Sequence, residues 1–115
     1  MSDTSNSKIT CAQLNVQSLL PNFSEFRDDL KRCDIDVVGL TETLLNRDPS
    51  DSVLIEGYNF IRNDQVTGRG ETGIYIKNNL KFQSIKIDLK LENTTIMINI
   101  GNEKIFLRYL ETTKN

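Results

Sequence analysis

Asn15 and Glu42 are the two residues whose types and placement could do chemistry together. Each lies late in a β-prone run: Leu14-Asn15-Val16 closes the first, and Val37-Val38-Gly39-Leu40-Thr41-Glu42 closes the second. A carboxylate and a carboxamide are hard oxygen donors. They suit Mg²⁺, which takes few protein ligands and completes its shell with water and phosphate oxygens. Polar residues at strand ends also serve as turn and cap residues, so the sequence alone leaves both readings open. One carboxylate supplies little of what a divalent cation needs, so Mg²⁺ at this pair is expected to bind weakly.

Other motifs exclude more than they offer. Residues 68–73 match G-x-G-x-x-G, but a dinucleotide site needs a helix after the glycines, with the phosphate at its N-terminus. Here GIYIK follows, which reads as a strand, so the segment reads as a flexible loop leading into it. The chain has 0 histidines. Ser–His and Cys–His catalysis and His-ligated zinc are therefore excluded within these residues. The two cysteines, Cys11 and Cys33, cannot build a Cys-only zinc site. They read as small buried apolar residues with reduced thiols.

The elements that must carry Asn15 and Glu42 follow from periodicity. Residues 8–16 are β-prone, with Gln13 and Asn15 on the face opposite Leu14 and Val16. A helix follows, entered at Pro21, with Asn22 or Ser24 as cap. Phe23, Phe26, Leu30 and Cys33 are spaced to make one apolar stripe, and Arg32 suits the last turn. Residues 34–36 turn the chain into 37–43, whose unbroken VVGL run suits a strand buried on both faces. Strand, helix and strand in this order read as a crossover unit. The two strands then end at the same sheet edge, which makes Asn15 and Glu42 neighbours. Beyond a loop over 44–57, short strands are predicted over 58–62, 73–77, 82–91, 94–100 and 104–110, with turns at Asn78-Asn79 and Gly101-Asn102. In 82–91, Ile85, Ile87, Leu89 and Leu91 share one face. The fold class is α/β (α+β): a mixed, largely antiparallel sheet with one main amphipathic helix.

These segments resemble a known family. Leu14-Asn15-Val16-Gln17-Ser18-Leu19-Leu20-Pro21, an amphipathic helix, then Asp36-Val37-Val38-Gly39-Leu40-Thr41-Glu42-Thr43-Leu44-Leu45 look like the start of the endonuclease/exonuclease/phosphatase superfamily. The pattern is similar in particular to the endonuclease domain of non-LTR (LINE, Jockey-type) retrotransposons. Ile55-Glu56-Gly57-Tyr58, Arg62-Asn63-Asp64 and Gly68-Arg69-Gly70 leading to Gly73-Ile74-Tyr75-Ile76-Lys77 fit it as well, so that residues 8–107 carry the likeness. The resemblance implies half of a four-layer α/β sandwich and Mg²⁺-dependent phosphodiester hydrolysis in DNA. It implies that Asn15 is the active-site asparagine, binding metal or phosphate, and that Glu42 is the metal-binding glutamate. The family's later motifs, a tyrosine followed by Arg-Pro-Pro, Gly-Asp-x-Asn and Ser-Asp-His, are not present, and with no histidine the family's general base is missing. The expectation is a truncated domain without phosphodiesterase activity by itself, acting as a binding or regulatory protein. The alternative is a residual Mg²⁺-dependent DNA endonuclease completed by a second chain.

Composition sets the frame. The chain has 115 residues, 26% of them charged, with 14 basic against 16 acidic side chains for a net charge of -2. That suits one small polar domain and argues against a strong non-specific grip on nucleic acid, so DNA binding is expected to be weak. No apolar run reaches the roughly 18 residues of a membrane helix, and 1–7 carry no apolar signal region, which suggests an intracellular protein, cytoplasmic or nuclear. Residues 1–7 and 111–115 read as tails around a domain over 8–110. The apolar faces of the predicted strands ask for cover. Either a protein partner or a homodimer docks on an uncovered sheet face, or the strands over 94–110 fold back over it.

Overall fold

The computed structural model describes residues 9–45, 50–63, 71–85, 93–100 and 103–110. The tails, the glycines Gly68 and Gly70, the stretch from Ile87 to Leu91 and the Gly101-Asn102 turn lie outside these residues.

The first strand, β1 (Cys11–Asn15), leads through a 3-10 turn (Leu20–Asn22) into α1 (Phe23–Cys33) and back into β2 (Val37–Thr41). β1 and β2 are parallel, with Asn15 level with Thr41. This is the crossover unit predicted from the sequence. A second 3-10 turn (Ser50–Val53) precedes β3 (Tyr58–Asn63), β4 (Thr72–Lys77), β5 (Lys81–Ile85), β6 (Asn93–Ile100) and β7 (Glu103–Leu110). The strands form two sheets, a mixed one in the order β1-β2-β4-β3 and an antiparallel one in the order β5-β6-β7.

The four-stranded sheet is covered on both sides. On one side Phe26 and Leu30 of α1 pack on Val38, Leu40 and Tyr75, with Leu19, Leu45, Val53 and Ile55 filling the same cluster. On the other, Val37, Ile74 and Ile76 meet Ile96 and Ile98 of β6. Of the two covers the sequence left open for this face, the structure uses the chain's own C-terminal strands. The apolar run Val37-Val38-Gly39-Leu40 is buried throughout, because β2 lies between two neighbours and between two layers.

Two expectations are corrected. Cys11 and Cys33 are exposed free thiols. Cys11 lies on the edge strand β1, and Cys33 is the last residue of α1, beyond the packed part of the stripe at Phe26 and Leu30. Asn22 stands at the N-cap of α1 but its side chain does not cap the helix. Its amide donates instead to the carbonyls of Val16 (3.3 Å) and Ser18 (3.0 Å), tying the helix start to the segment after β1.

The end of the sheet far from Asn15 is closed by polar contacts. Asp34 ends α1 in the left-handed region (φ 53°), and Lys77 bonds to it and lies 3.3 Å from Asp36. Tyr58 donates its hydroxyl to the Ile35 carbonyl at 2.6 Å. Inside the core the Tyr75 ring stacks on Phe60, its cross-strand neighbour, with centroids 4.0 Å apart and planes 2° from parallel. The Tyr75 hydroxyl donates to the Val53 carbonyl at 2.7 Å.

Candidate functional site

The parallel pairing of β1 and β2 brings the two sequence-selected residues together. Asn15 Nδ2 donates to Glu42 Oε2 at 2.8 Å, while Asn15 Oδ1 accepts the backbone N–H of Gln17 at 3.0 Å. The two contacts orient the carboxamide, because a backbone N–H can only donate and a carboxylate can only accept. Asn15 is exposed and Glu42 half-buried, so the pair faces solvent.

Beyond the strand ends the two chain segments continue side by side. Val16 N–H donates to Thr41 O (3.1 Å), Ser18 N–H to Glu42 O (2.8 Å) and Leu19 N–H to Thr43 O (2.9 Å). Four non-glycine residues in these segments have positive φ: Gln17 (46°), Ser18 (87°), Glu42 (58°) and Leu44 (48°). Each such residue costs on the order of 1–2 kcal/mol, and strain of this kind collects at binding and catalytic sites. Glu42, itself at φ 58°, brings its carboxylate to Asn15 at the end of β1.

Residues that sequence reasoning missed hold this geometry from below. Glu71 is fully buried directly before β4. Its carbonyl accepts the N–H of Thr43 at 3.3 Å, and its Oε1 accepts the N–H of Leu45. Thr72 Oγ1 meets Thr94 Oγ1 at 2.5 Å, which joins the same end of β4 to β6. Thr43 Oγ1 is buried without a hydrogen-bond partner among the described residues. In the sequence Glu71 is a carboxylate shortly before a strand, in a glycine-bearing polar stretch that has the pattern of a loop.

The donor chemistry of the pair fits a hard cation held mainly by water and phosphate, with Glu42 as the single carboxylate. Among the described residues no cluster of three or more His, Cys, Asp or Glu side chains could hold a metal ion. Cys11 is no activated nucleophile: desolvation, then the neighbouring Asp36 carboxylate, pushes its thiol pKa up, which disfavours the thiolate. The G-x-G-x-x-G stretch continues into a strand, and its last glycine serves packing. A Cβ on Gly73 would fall 2.5 Å from Cε1 of Phe60.

The family model for endonuclease/exonuclease/phosphatase proteins matches residues 12–112. The chain belongs to the endonuclease/exonuclease/phosphatase family. Solved structures share the fold of this family member. AP endonuclease LMAP from Leishmania major superposes with a TM-score of 0.70 at 21% identity over 97% of the chain. The catalytic domain of APE2 from Xenopus laevis superposes with a TM-score of 0.56 at 14% identity over 88% of it. The chain spans 43% of the length of each of these two. No curated protein sequence matches it. Among the described residues of this endonuclease/exonuclease/phosphatase chain no helix is long and apolar enough to cross a membrane.

Proposed function

We propose that the chain is the cation- and phosphate-contacting portion of a retrotransposon-derived endonuclease/exonuclease/phosphatase domain, and that by itself it binds without cleaving. The observation that carries the reading is the hydrogen bond from Asn15 to Glu42 across the ends of two parallel strands. Glu42 would hold Mg²⁺, and Asn15 would fix the carboxylate and offer its amide or carbonyl to a phosphate group or the ion. When bound, the cation supplies Lewis-acid polarisation of a phosphodiester oxygen. Hydrolysis also needs a positioned water and a base to take its proton. These 115 residues contain no histidine for that step. In this reading the protein works inside the cell as a binding or regulatory module, with weak affinity for DNA.

The second reading is a Mg²⁺-dependent DNA endonuclease completed by a second chain. Two observations favour it. The superposed proteins are more than twice as long, since the chain spans 43% of each. Among the described residues β1 is also an edge strand, with Leu14 on it 46% exposed. A protein partner or a second copy of the chain would pair along that edge.

Magnesium titration followed by NMR tests the first reading. The Asn15 side-chain amide is expected to shift with Mg²⁺ in the wild-type chain, with weak affinity, and to stay unmoved in Glu42→Gln. Equal responses in both proteins would remove Glu42 from the site.

A further inference from the structure

We propose that Glu71 is the positioning residue for Glu42: a buried carboxyl group that holds residues 42–45 in the conformation the Asn15–Glu42 pair requires. The inference rests on the cation-site reading of that pair and adds a residue to it.

Glu71 is 0% exposed, in a position where an apolar side chain would ordinarily sit. A buried carboxyl group is retained at a cost unless it is hydrogen-bonded, so its partners indicate what it is for. Glu71 Oε1 accepts the backbone N–H of Leu45. The Glu71 carbonyl accepts the backbone N–H of Thr43 at 3.3 Å. One residue thus grips the chain on both sides of Leu44, which lies at φ 48°. The residue before this grip is Glu42, at φ 58°. Neither side chain favours the left-handed region, so the segment would relax toward extended backbone if nothing held it. Relaxation would rotate the Glu42 carboxylate away from Asn15. The grip itself has a firm base. Thr72, the next residue along β4, shares a buried hydroxyl contact with Thr94 of β6, and β4 pairs with β2 through Thr41. The path from Glu71 to Glu42 is therefore one backbone hydrogen bond, to Thr43, and one side-chain hydrogen bond, to Leu45, across three residues, with no contact between the two carboxylates required.

Two substitutions separate positioning from packing. Glu71→Gln keeps a side-chain oxygen able to accept the Leu45 N–H, whereas Glu71→Met keeps volume and removes the acceptor. The readouts on the full 115-residue chain are Leu45 amide exchange, the chemical shift of the Asn15 side-chain amide without metal, and Mg²⁺ affinity by titration. Glu71→Met is expected to speed Leu45 exchange at least tenfold, move the Asn15 signal toward that of an unbonded amide, and weaken Mg²⁺ at least fivefold. Glu71→Gln is expected to restore all three to within about twofold. The inference is overturned if Glu71→Met matches wild type in the Asn15 shift, or if Glu71→Gln is as impaired as Glu71→Met. Should Glu71→Met not fold, Leu45 exchange in the wild-type chain decides: protection supports the grip, and free exchange refutes it. Glu42→Gln is the control for the underlying reading. If it leaves Mg²⁺ affinity unchanged, the cation site fails, while the metal-free Asn15 and Leu45 signals still decide the role of Glu71.

Discussion

Asn15 and Glu42 stand 27 positions apart in the chain, and the side-chain amide of one lies 2.8 Å from the carboxylate of the other. The relationship depends on a donor at position 15. Asn15→Asp keeps the shape and replaces that donor with a second carboxylate. Without metal, the loss of the bond and the new repulsion are expected to lower stability by about 1 kcal/mol at neutral pH. With Mg²⁺, the added negative ligand is expected to tighten binding roughly tenfold. Calorimetric titration of both proteins checks this, and equal or weaker binding by Asn15→Asp would show that the pair does not face a cation.

Gly73 gives up a side chain so that Phe60 can lie against Tyr75. A Cβ there would also come within 2.9 Å of Phe60 Cζ and 3.2 Å of the Ile61 carbonyl. The ring cannot swing aside freely, because it is stacked on Tyr75. Gly73→Ala is expected to cost about 1–3 kcal/mol, as overpacked cores do. Denaturant unfolding measures it, and a change below about 0.5 kcal/mol, the scale of an ordinary surface substitution, would contradict the packing account.

Tyr75 makes stability fall in alkali. Burial raises its pKa above the ordinary value of about 10, because the phenolate would lose its water. The native state therefore keeps the proton at pH values where the unfolded chain has released it. The contribution is complete below pH about 10 and is lost as pH rises from there toward the native pKa. Lys77, held above its ordinary value first by its bond to Asp34, acts in the same direction. Melting curves from pH 8 to 11 are expected to show a loss of stability that is shallower, but still present, in Tyr75→Phe. At neutral pH that variant is expected to be less stable by about 1 kcal/mol through the lost bond to the Val53 carbonyl.

The crossover unit was legible in the sequence because its signals are local. The Phe26 and Leu30 spacing, the unbroken run over Val37 to Leu40, and polarity arriving at Asn15 and Glu42 each lie within one element. The division of the later strands between two sheets was not legible. It depends on long-range pairing, in which Val37 and Ile74 meet Ile96, and no local pattern encodes that. The burial expected of Cys11 and Cys33 fails because residue type predicts burial only on average, whereas edge position and helix end decide it here. Glu71 was missed for the opposite reason. A carboxylate in a polar stretch reads as exposed, and only the folded chain places the Thr43 and Leu45 amides against it.

Nicking of supercoiled plasmid DNA by the 115-residue chain in Mg²⁺ tests the central claim most directly. In the proposed reading the Asn15–Glu42 pair would hold a cation and orient phosphate, but phosphodiester hydrolysis also needs a base and further stabilisation of the transition state, each worth orders of magnitude in rate. The expected result is no nicking above the protein-free control, with weak Mg²⁺ binding that depends on Glu42. Mg²⁺-dependent nicking by the wild-type chain that disappears in Glu42→Ala would contradict the account and establish a working nuclease.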